Sequence, residues 1–377
     1  MKILRTTYLS LGTNLGDKLQ NLQDAINEVS NSIGDVIRVS SVYKTASWGF
    51  EAPDFFNIVI EVKTPFSPEI LWQEIEKIEL KLGRTHLESG QYESRLIDID
   101  ILLFDDDIIF SQALLIPHNK MLERNFVLEP LNEIAANITH PISKTTIKTC
   151  LANCIDKNTA TRTDLKLIRP VPLTEKYSYI AIEGNIGAGK TTLTNMMAAD
   201  FNAKKVLERF ADNPFLPKFY EDKDRYAFPL EMSFLADRYQ QLSDDLAQYD
   251  LFKNFIISDY YVFKSVIFSK VTLNDDEFKL YRKVFDMMYK EMIKPDLYVF
   301  LYQSPERLLE NIKKRGRDYE QNISADYLKQ IHDGYMDFIK SKTDINTLII
   351  DVSDYDFVKH ESDYAKIISA IRNHSNS

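Results

Sequence analysis

Polar and apolar positions alternate along "TTYLSLGTN", residues 6–14, which predicts a strand ending in a turn. The next stretch, "LGDKLQNLQDAINEVSN", shifts to helical spacing, with Asp17 near its start. "DVIRVSSVYKT" and "FFNIVIEVKT" alternate again and predict two strands. "SPEILWQEIEKIELKLG" predicts a helix with Ser67 as N-cap, Pro68 in the first turn and Gly83 as its stop. "IDIDILLF" closes the series as another strand. This β-α-β-β-α-β order implies a ferredoxin-like α+β sandwich.

Residues 158–177, "NTATRTDLKLIRPVPLTEKY", break the pattern. They are polar, hold two prolines close together and lack helical periodicity, so they read as a linker, with the boundary near residue 172. "SYIAIEG" then restarts as a buried strand and leads into a glycine loop and a helix. Long helical stretches separate the short apolar runs "KVLERF", "FIISDY", "DLYVFLY" and "NTLIIDV". That alternation predicts a P-loop α/β domain with a parallel sheet. The expected organisation is a first domain over 1–160, a linker over 161–176 and a second domain over 177–377.

Length agrees with two domains, since 377 residues exceed one ordinary core. A net charge of -10 argues against a broad nucleic-acid surface but leaves room for local basic pockets. No apolar run is long enough for a signal peptide or a bilayer span. The two cysteines, Cys150 and Cys154, have a C-x3-C spacing that fits neither a zinc knuckle nor a redox motif. Reduced thiols and a cytoplasmic location are expected, with no nucleic acid and no membrane as partner.

"GNIGAGKT" (Gly184, Asn185, Ile186, Gly187, Ala188, Gly189, Lys190, Thr191) fits G-x-x-x-x-G-K-[ST] between a predicted strand and a predicted helix. Such a loop wraps a phosphate with its backbone, Lys190 reaches the β- and γ-phosphates, and Thr191 can hold Mg2+. Glu208 in "VLERFADNPFL" and Asp259 in "FIISDYY" fall at strand ends, where open parallel sheets build their sites. Glu208 can accept a proton from a substrate hydroxyl, and Asp259 can contact Mg2+. "NIKKRGRDYEQ" carries cations that could close over a transferring phosphoryl group, although without the phosphate loop a solvated helix end would be the better reading.

Together these motifs resemble the deoxynucleoside kinase family over roughly residues 177–374. "FPLEMSFLADRYQQL" and "ISDYYVFKSVIF" are most similar to its bacterial deoxyguanosine/deoxyadenosine kinase branch. The resemblance implies Glu208 as base for the 5′-hydroxyl. It also implies Tyr220 and Glu320 on the sugar 3′-hydroxyl, and Arg315 and Arg317 in a lid. Glu231 and Arg238 stand where many members place a base-reading Gln and, seven residues on, an Arg. An ionised Glu231 only accepts hydrogen bonds, which matches the N1–H and 2-amino donors of guanine, so deoxyguanosine is favoured over deoxyadenosine. A Glu231–Arg238 pair on one helix face is the bland alternative. Tyr260 and Asn311 depart from the family, standing where some members carry arginine.

Asp98 and Asp100 lie two apart on a predicted strand and so share a face, with Ile97, Ile99 and Ile101 on the other. Paired carboxylates suit Mg2+ and the phosphates it carries, though spacing alone favours a solvated strand face. Their surroundings change the balance. "SLGTNLGDKLQNLQDA", "VYKTASWGF", "DFFNIVIEV", "IEKIELKLGR", "SRLIDIDILLF" and "IPHNKMLERNFVLEPLNEIA" occur in that order. Over about residues 5–157 they resemble 6-hydroxymethyl-7,8-dihydropterin pyrophosphokinase, an enzyme of folate synthesis.

That resemblance implies two Mg2+ ions on Asp98 and Asp100, bridging ATP and the pterin alcohol. It implies pterin contacts from Thr45, Trp48, Phe55, Asn57 and Phe126. Glu79, His118 and Arg124 would meet ATP, with Arg84 and Arg95 on its phosphates. Ala113, Leu115, His86 and Tyr92 depart from frequent family residues. The whole chain then reads as a bifunctional ATP-dependent transferase with two Mg2+ in the first site and one in the second. A homodimer through the second domain is expected. The rivals are a chain in which one domain only binds nucleotide or dimerises, and a nucleoside monophosphate kinase in the second half.

Overall fold

In the computed structural model the run Arg5–Thr13 forms strand β1, with Leu9 and Leu11 fully buried. The structure describes residues 4–46, 53–84, 94–156, 158–209, 213–247, 253–290, 292–317, 320–321, 323–341 and 345–375. The chain then passes through α1 (Lys18–Ser32), β2 (Asp35–Val39), β3 (Tyr43–Thr45), β4 (Phe55–Thr64), α2 (Pro68–Lys81) and β5 (Asp98–Phe104). A small hairpin, β6 (Ile109–Phe110) and β7 (Leu115–Ile116), precedes α3 (Asn125–Ala135), α4 (Ile147–Ala152) and β8 (Thr161–Arg162). The Asp17 side chain accepts from the Gln20 N–H to cap α1, and Ser67 caps α2 in the same way from Ile70. Gly83 ends α2 at φ +91, a conformation that strains any residue with a Cβ.

The first sheet runs β5-β1-β4-β3-β8, with β2 also paired to β4, and its pairings are antiparallel. One face packs on α1 and α2 through Leu11, Ile58, Ile99 and Ile101 with Leu22, Ile26, Leu71 and Ile75. On the other face Tyr8, Val59 and Leu102 meet Val127, Leu128 and Leu131 of α3. The run expected as one strand over 35–45 is split into β2 and β3. Ser40 is the reason: its Oγ accepts from the Val59 N–H at 3.0 Å while its own N–H donates to the Val59 carbonyl.

After α5 (Leu173–Lys176) come β9 (Tyr179–Gly184), α6 (Lys190–Asp200), β10 (Lys204–Val206), α7 (Leu216–Glu221), α8 (Lys223–Ala247) and β11 (Ile256–Ser258). The rest is α9 (Phe263–Thr272), α10 (Asp275–Met288), β12 (Leu297–Tyr302), α11 (Pro305–Arg315), α12 (Ala325–Ser341), β13 (Thr347–Asp351) and α13 (Glu361–Asn373). The second sheet is parallel, in the order β10-β11-β9-β12-β13. Among the described residues no helix is long and apolar enough to cross a membrane.

Contacts divide the chain differently from the boundaries expected at 160 and 177. One compact unit holds residues 3–173 together with Lys359–Asn373, and the other holds 174–358. The segment read as a linker is tied to the first unit. Thr161 and Arg162 pair with the β3 edge, and Ile168 exchanges two hydrogen bonds with the Gln23 side chain. The last helix, expected in the second domain, also packs with the first unit. Ala365 joins its core, and Arg372 donates from Nε to Asp35 at 2.6 Å and from Nη1 to the Ser30 carbonyl.

Arg372 and Asp35 are 6% and 3% exposed, so removing one partner strands a buried charge. Arg372→Leu is expected to destabilise the first unit by about 3 kcal/mol, read as a lower urea midpoint.

Candidate active sites

In the second unit the carboxyl ends of β9, β10 and β11 lie side by side, and each delivers a polar group. β9 runs into the glycine loop. A Cβ on Gly184 would lie 2.6 Å from the Leu301 carbonyl, and one on Gly189 would lie 2.8 Å from Phe357, so the loop's path excludes other residues there. The Lys190 ammonium donates to the Gly184 and Asn185 carbonyls at 3.0 and 2.9 Å. Burial and then the charge of Lys264 bring its pKa down to about 8. Thr191 Oγ1 donates to Asp259 Oδ2 at 2.5 Å, and Asp259 Oδ1 accepts the Glu208 backbone N–H at 2.8 Å. Asp259 thus joins the expected metal position to the expected base.

Glu208 is held by cations on both oxygens. Arg238 donates to Oε1 from Nε at 2.9 Å and from Nη2 at 2.7 Å, and Lys264 Nζ donates to Oε2 at 2.5 Å. Burial pushes this carboxyl up, but Lys264 and Arg238 outweigh it and hold it far below the usual carboxylate range. Arg238 spends its third contact on Ser265 Oγ, at 2.8 Å. The pairing considered for Arg238, with Glu231 on its own helix face, gives way to one with Glu208. Sequence reasoning missed Lys264, although a single lysine inside the apolar run "YYVFKSVIF" was the available signal. It also missed Glu183, fully buried, which accepts from the Tyr261 N–H at 2.7 Å and the Tyr335 hydroxyl at 2.9 Å.

The two family departures now have structures. Tyr260 is fully buried, so Lys264 provides the second cation on Glu208 instead. Asn311 Nδ2 donates to the Gly187 carbonyl at 2.9 Å and braces the phosphate loop. Glu320 accepts from Arg317 at 3.0 Å, and Arg315 lies 3.8 Å from it. A cavity of about 120 Å³ gathers Ile186, Gly187, Lys190, Thr191, Glu208, Glu231, Arg238, Asp259, Arg315, Arg317 and Glu320. Tyr220 falls on α7, but its side chain lies outside the described residues.

In the first unit Gly12 of β1 pairs with Asn57 of β4 on one side and Asp98 of β5 on the other. These three residues form one row across the sheet and share a face. A Cβ on Gly12 would stand 3.0 Å from Asn57 Oδ1, so glycine keeps the floor open between them. Asn57 Nδ2 donates to Thr45 Oγ1 at 2.9 Å. Phe55 and Asn57 lie two apart on β4, on that same face. Arg124 stacks over the Phe126 ring at 5.5 Å. Trp48, His86 and Tyr92 lie outside the described residues.

Glu79, Arg84, Arg95, Asp98, Asp100 and His118 line one cleft of about 350 Å³, along with Ala113 and Leu115. Asp98 has cations already: Arg84 Nη1 at 2.9 Å and Arg95 Nη1 at 2.7 Å. Arg84 also bonds Glu79, which accepts the Ile99 N–H at 2.7 Å. Burial, opposed by Arg84, pushes Glu79 up to about 7. Burial and then the Asp98 charge push Asp100 up to about 7, against Arg124, Arg95 and Arg84. His118 Nε2 lies 4.0 Å from Asp100, but burial and Arg124 pull its pKa down to about 4. That contact is therefore not an ion pair at neutral pH, and Asp100 is the carboxyl left wanting positive charge. Among the described residues no three His, Cys, Asp or Glu side chains gather as a metal cage. A hard cation here would complete its shell with phosphate oxygens and water, which is the ordinary habit of Mg2+.

A glycine loop at the head of a parallel sheet, with a lysine, a hydroxyl and an acid behind it, defines a nucleoside-triphosphate-binding protein of the P-loop class. A family model for deoxynucleoside kinase matches residues 180–376, and one for 7,8-dihydro-6-hydroxymethylpterin-pyrophosphokinase matches residues 8–136. Deoxyguanosine kinase of Bacillus subtilis is 36% identical over 198 residues, which is 52% of this chain and 96% of that protein. Deoxyadenosine/deoxycytidine kinase of the same organism is 30% identical over 52% of this chain and 92% of its own. A 2-amino-4-hydroxy-6-hydroxymethyldihydropteridine pyrophosphokinase of Aquifex aeolicus is 37% identical over 38% of this chain and 89% of its own. The chain belongs to both families, the pterin pyrophosphokinases in its first part and the deoxynucleoside kinases in its second. It is a bifunctional, ATP-dependent kinase.

Lys264→Met is expected to lower nucleoside kinase turnover about 10²-fold by releasing the Glu208 carboxylate from its position. With that cation gone, burial raises the Glu208 pKa, so activity should fall as pH drops through a new acid limb that the parent enzyme lacks. The pH–kcat profile of the two proteins checks this.

Proposed function

We propose that the second unit transfers the γ-phosphate of ATP to the 5′-hydroxyl of a purine deoxynucleoside, deoxyguanosine before deoxyadenosine. The first unit transfers pyrophosphate from ATP to 6-hydroxymethyl-7,8-dihydropterin. The observation that carries the purine reading is Glu231, a carboxyl 3% exposed on the wall of the kinase cavity. A buried acceptor on the wall of this cavity, beside Leu230, Phe234 and Phe268, suits a base edge that offers donors. The strand order β5-β1-β4-β2 of the first unit supports its ferredoxin-like reading.

In the kinase unit Glu208 accepts a hydrogen bond from the 5′-hydroxyl and aims its oxygen along the line of attack. Two cations make this carboxylate a weak base, which suffices where bond breaking runs ahead of bond making and the proton leaves late. Lys190 and the loop amides hold the phosphates, and Arg315 and Arg317 meet the charge that spreads over the transferred group. Glu320 takes the sugar 3′-hydroxyl, together with Tyr220. In the pterin unit Asn57 hydrogen-bonds the ring, Thr45 and Trp48 meet it through their backbone, and Phe55 and Phe126 line it. Arg84, Arg95, Arg124, His118 and Glu79 position ATP.

Thr191 and Asp259 would hold one Mg2+, and Asp98 and Asp100 two. The ions supply Lewis-acid charge on phosphate oxygens. The donor sets fit: hydroxyl and carboxylate oxygens, with Asp100 short of counter-charge. Free Cys150 and Cys154 support a reducing, cytoplasmic setting. Leu280 and Met287, exposed two turns apart on α10, support a homodimer through the kinase unit.

Phosphate transfer from ATP with Mg2+ to the four deoxynucleosides and to the pterin alcohol tests the whole reading. Deoxyguanosine is expected to lead and the pterin to be converted. A leading deoxycytidine or thymidine would refute the purine assignment. Asp98→Asn should cost the pterin reaction about 10²-fold or more and spare the nucleoside reaction, while Glu208→Gln should do the reverse. Loss of both reactions in either variant would sink the division of labour.

A further inference from the structure

Glu231 lies two residues past Pro229 in α8, on the wall shared by Glu208, Phe234 and Phe268. Its Oε2 is buried and has no hydrogen-bond partner among the described residues. The charged and titratable groups that face it come from four elements. They are Arg238 of its own helix, Glu208 after β10, Lys264 of α9 and Tyr281 of α10. Both nearby cations are committed elsewhere: Arg238 bonds Glu208 and Ser265, and Lys264 bonds Glu208. Glu231 therefore keeps the burial cost of its charge with little to offset it. Burial pushes its pKa up to about 7, against weaker pulls from Arg238, the Thr272 hydroxyl and Lys264. Glu208 and Arg238 hold their charges through the neutral range, and Tyr281, pushed up by burial, stays a neutral phenol.

The two forms of this side chain carry different hydrogen-bond codes. The carboxylate presents two acceptors. Guanine answers with two donors, N1–H and the 2-amino group. The neutral acid presents one O–H donor and one carbonyl acceptor. Adenine answers with one acceptor, N1, and one donor, the 6-amino group. Guanine can also answer the neutral acid, through O6 and N1–H, so the acid admits both purines, whereas the carboxylate leaves adenine N1 facing an acceptor, which is the costly kind of mismatch. We infer that Glu231 makes the purine choice of the kinase unit depend on pH, with the carboxylate selecting deoxyguanosine and the carboxylic acid admitting deoxyadenosine. The inference rests on the nucleoside reading given above.

The ratio of carboxylate to acid rises tenfold with each pH unit, wherever the midpoint falls. A purine that needs the acid should therefore lose ground with rising pH to one that the carboxylate also accepts, with a slope that approaches tenfold per pH unit above the midpoint. Effects of pH on Lys190, on the phosphates or on the lid are common to both substrates and cancel in the ratio. The experiment is a competition between deoxyguanosine and deoxyadenosine for the full-length protein, with ATP and Mg2+, from about pH 6 to about pH 8.5. Neither base titrates in that window. The kcat/KM ratio of deoxyguanosine to deoxyadenosine is expected to rise with pH, steepening to about tenfold per pH unit at the alkaline end. In Glu231→Gln, whose amide offers one donor and one acceptor at every pH, the ratio should be flat and lie below the parent's value at the alkaline end. A ratio that stays within about twofold across the range in the parent protein overturns the inference and leaves the purine reading standing. A pH-dependent ratio that survives in Glu231→Gln overturns it too, since another group must then be responsible. A pyrimidine that leads over both purines removes the purine reading and this inference with it. If that variant does not fold, Glu231→Met, which also removes the titrating group, takes its place and is expected to flatten the ratio, and a slope that survives in it overturns the inference.

Discussion

The Glu208 carboxylate, clamped between Arg238 and Lys264, is the contact on which the kinase unit depends. A carboxylate this deep is unstable without positive charge, and either cation alone would be equally costly to bury. The three are tolerable only together, and they come from the end of β10, from α8 and from α9. Their mutual need fixes how these helices meet the sheet. Asp259 extends the arrangement, since its two oxygens join Thr191 of the phosphate loop to the Glu208 backbone. Acceptor site and donor site are thereby set by one hydrogen-bonded chain, which is what in-line transfer requires.

The pterin unit reaches a similar end from an antiparallel sheet. Its row Asn57–Gly12–Asp98 runs across three neighbouring strands, β4, β1 and β5, and sets the amide and the carboxylate on one face with a glycine between them. β-Strand geometry sets that spacing without any loop. The two carboxylates of β5 have partners of two kinds. Asp98 is met by Arg84 and Arg95, whereas among the described residues Asp100 has His118, uncharged at neutral pH, at 4.0 Å and feels the charges of Arg124, Arg95 and Arg84 without an ion pair to them. The pair is thus asymmetric, and the demand for added positive charge is concentrated on Asp100.

What could be read from sequence followed from local rules. Capped helices, alternating strands and acids at strand ends all depend on residues a few positions apart, so Asp17, Ser67, Glu208 and Asp259 were visible. What escaped depended on distant partners. Lys264 meets Glu208 across 56 residues, and no periodicity encodes that meeting. The apolar face of α13 says that the helix is buried but not in which unit. Arg372 makes that choice by finding Asp35, 337 residues away. The break between β2 and β3 turned on one serine hydroxyl that competes with the ladder.

A helix that carries both Glu231 and Arg238 could have paired them, and the site would then lose both functions. Arg238 instead turns to Glu208, which fixes that carboxylate in its charged form as a steady acceptor for the reacting hydroxyl. The same choice leaves Glu231 short of a cation, so its proton is loosely decided near neutrality. One guanidinium thus separates two buried carboxyls that share a cavity. The first is kept ionised, and the second is left titratable on the wall of the same cavity. The division follows from a deficit of cations in a dry site, because charge supplied to one acid is charge withheld from its neighbour.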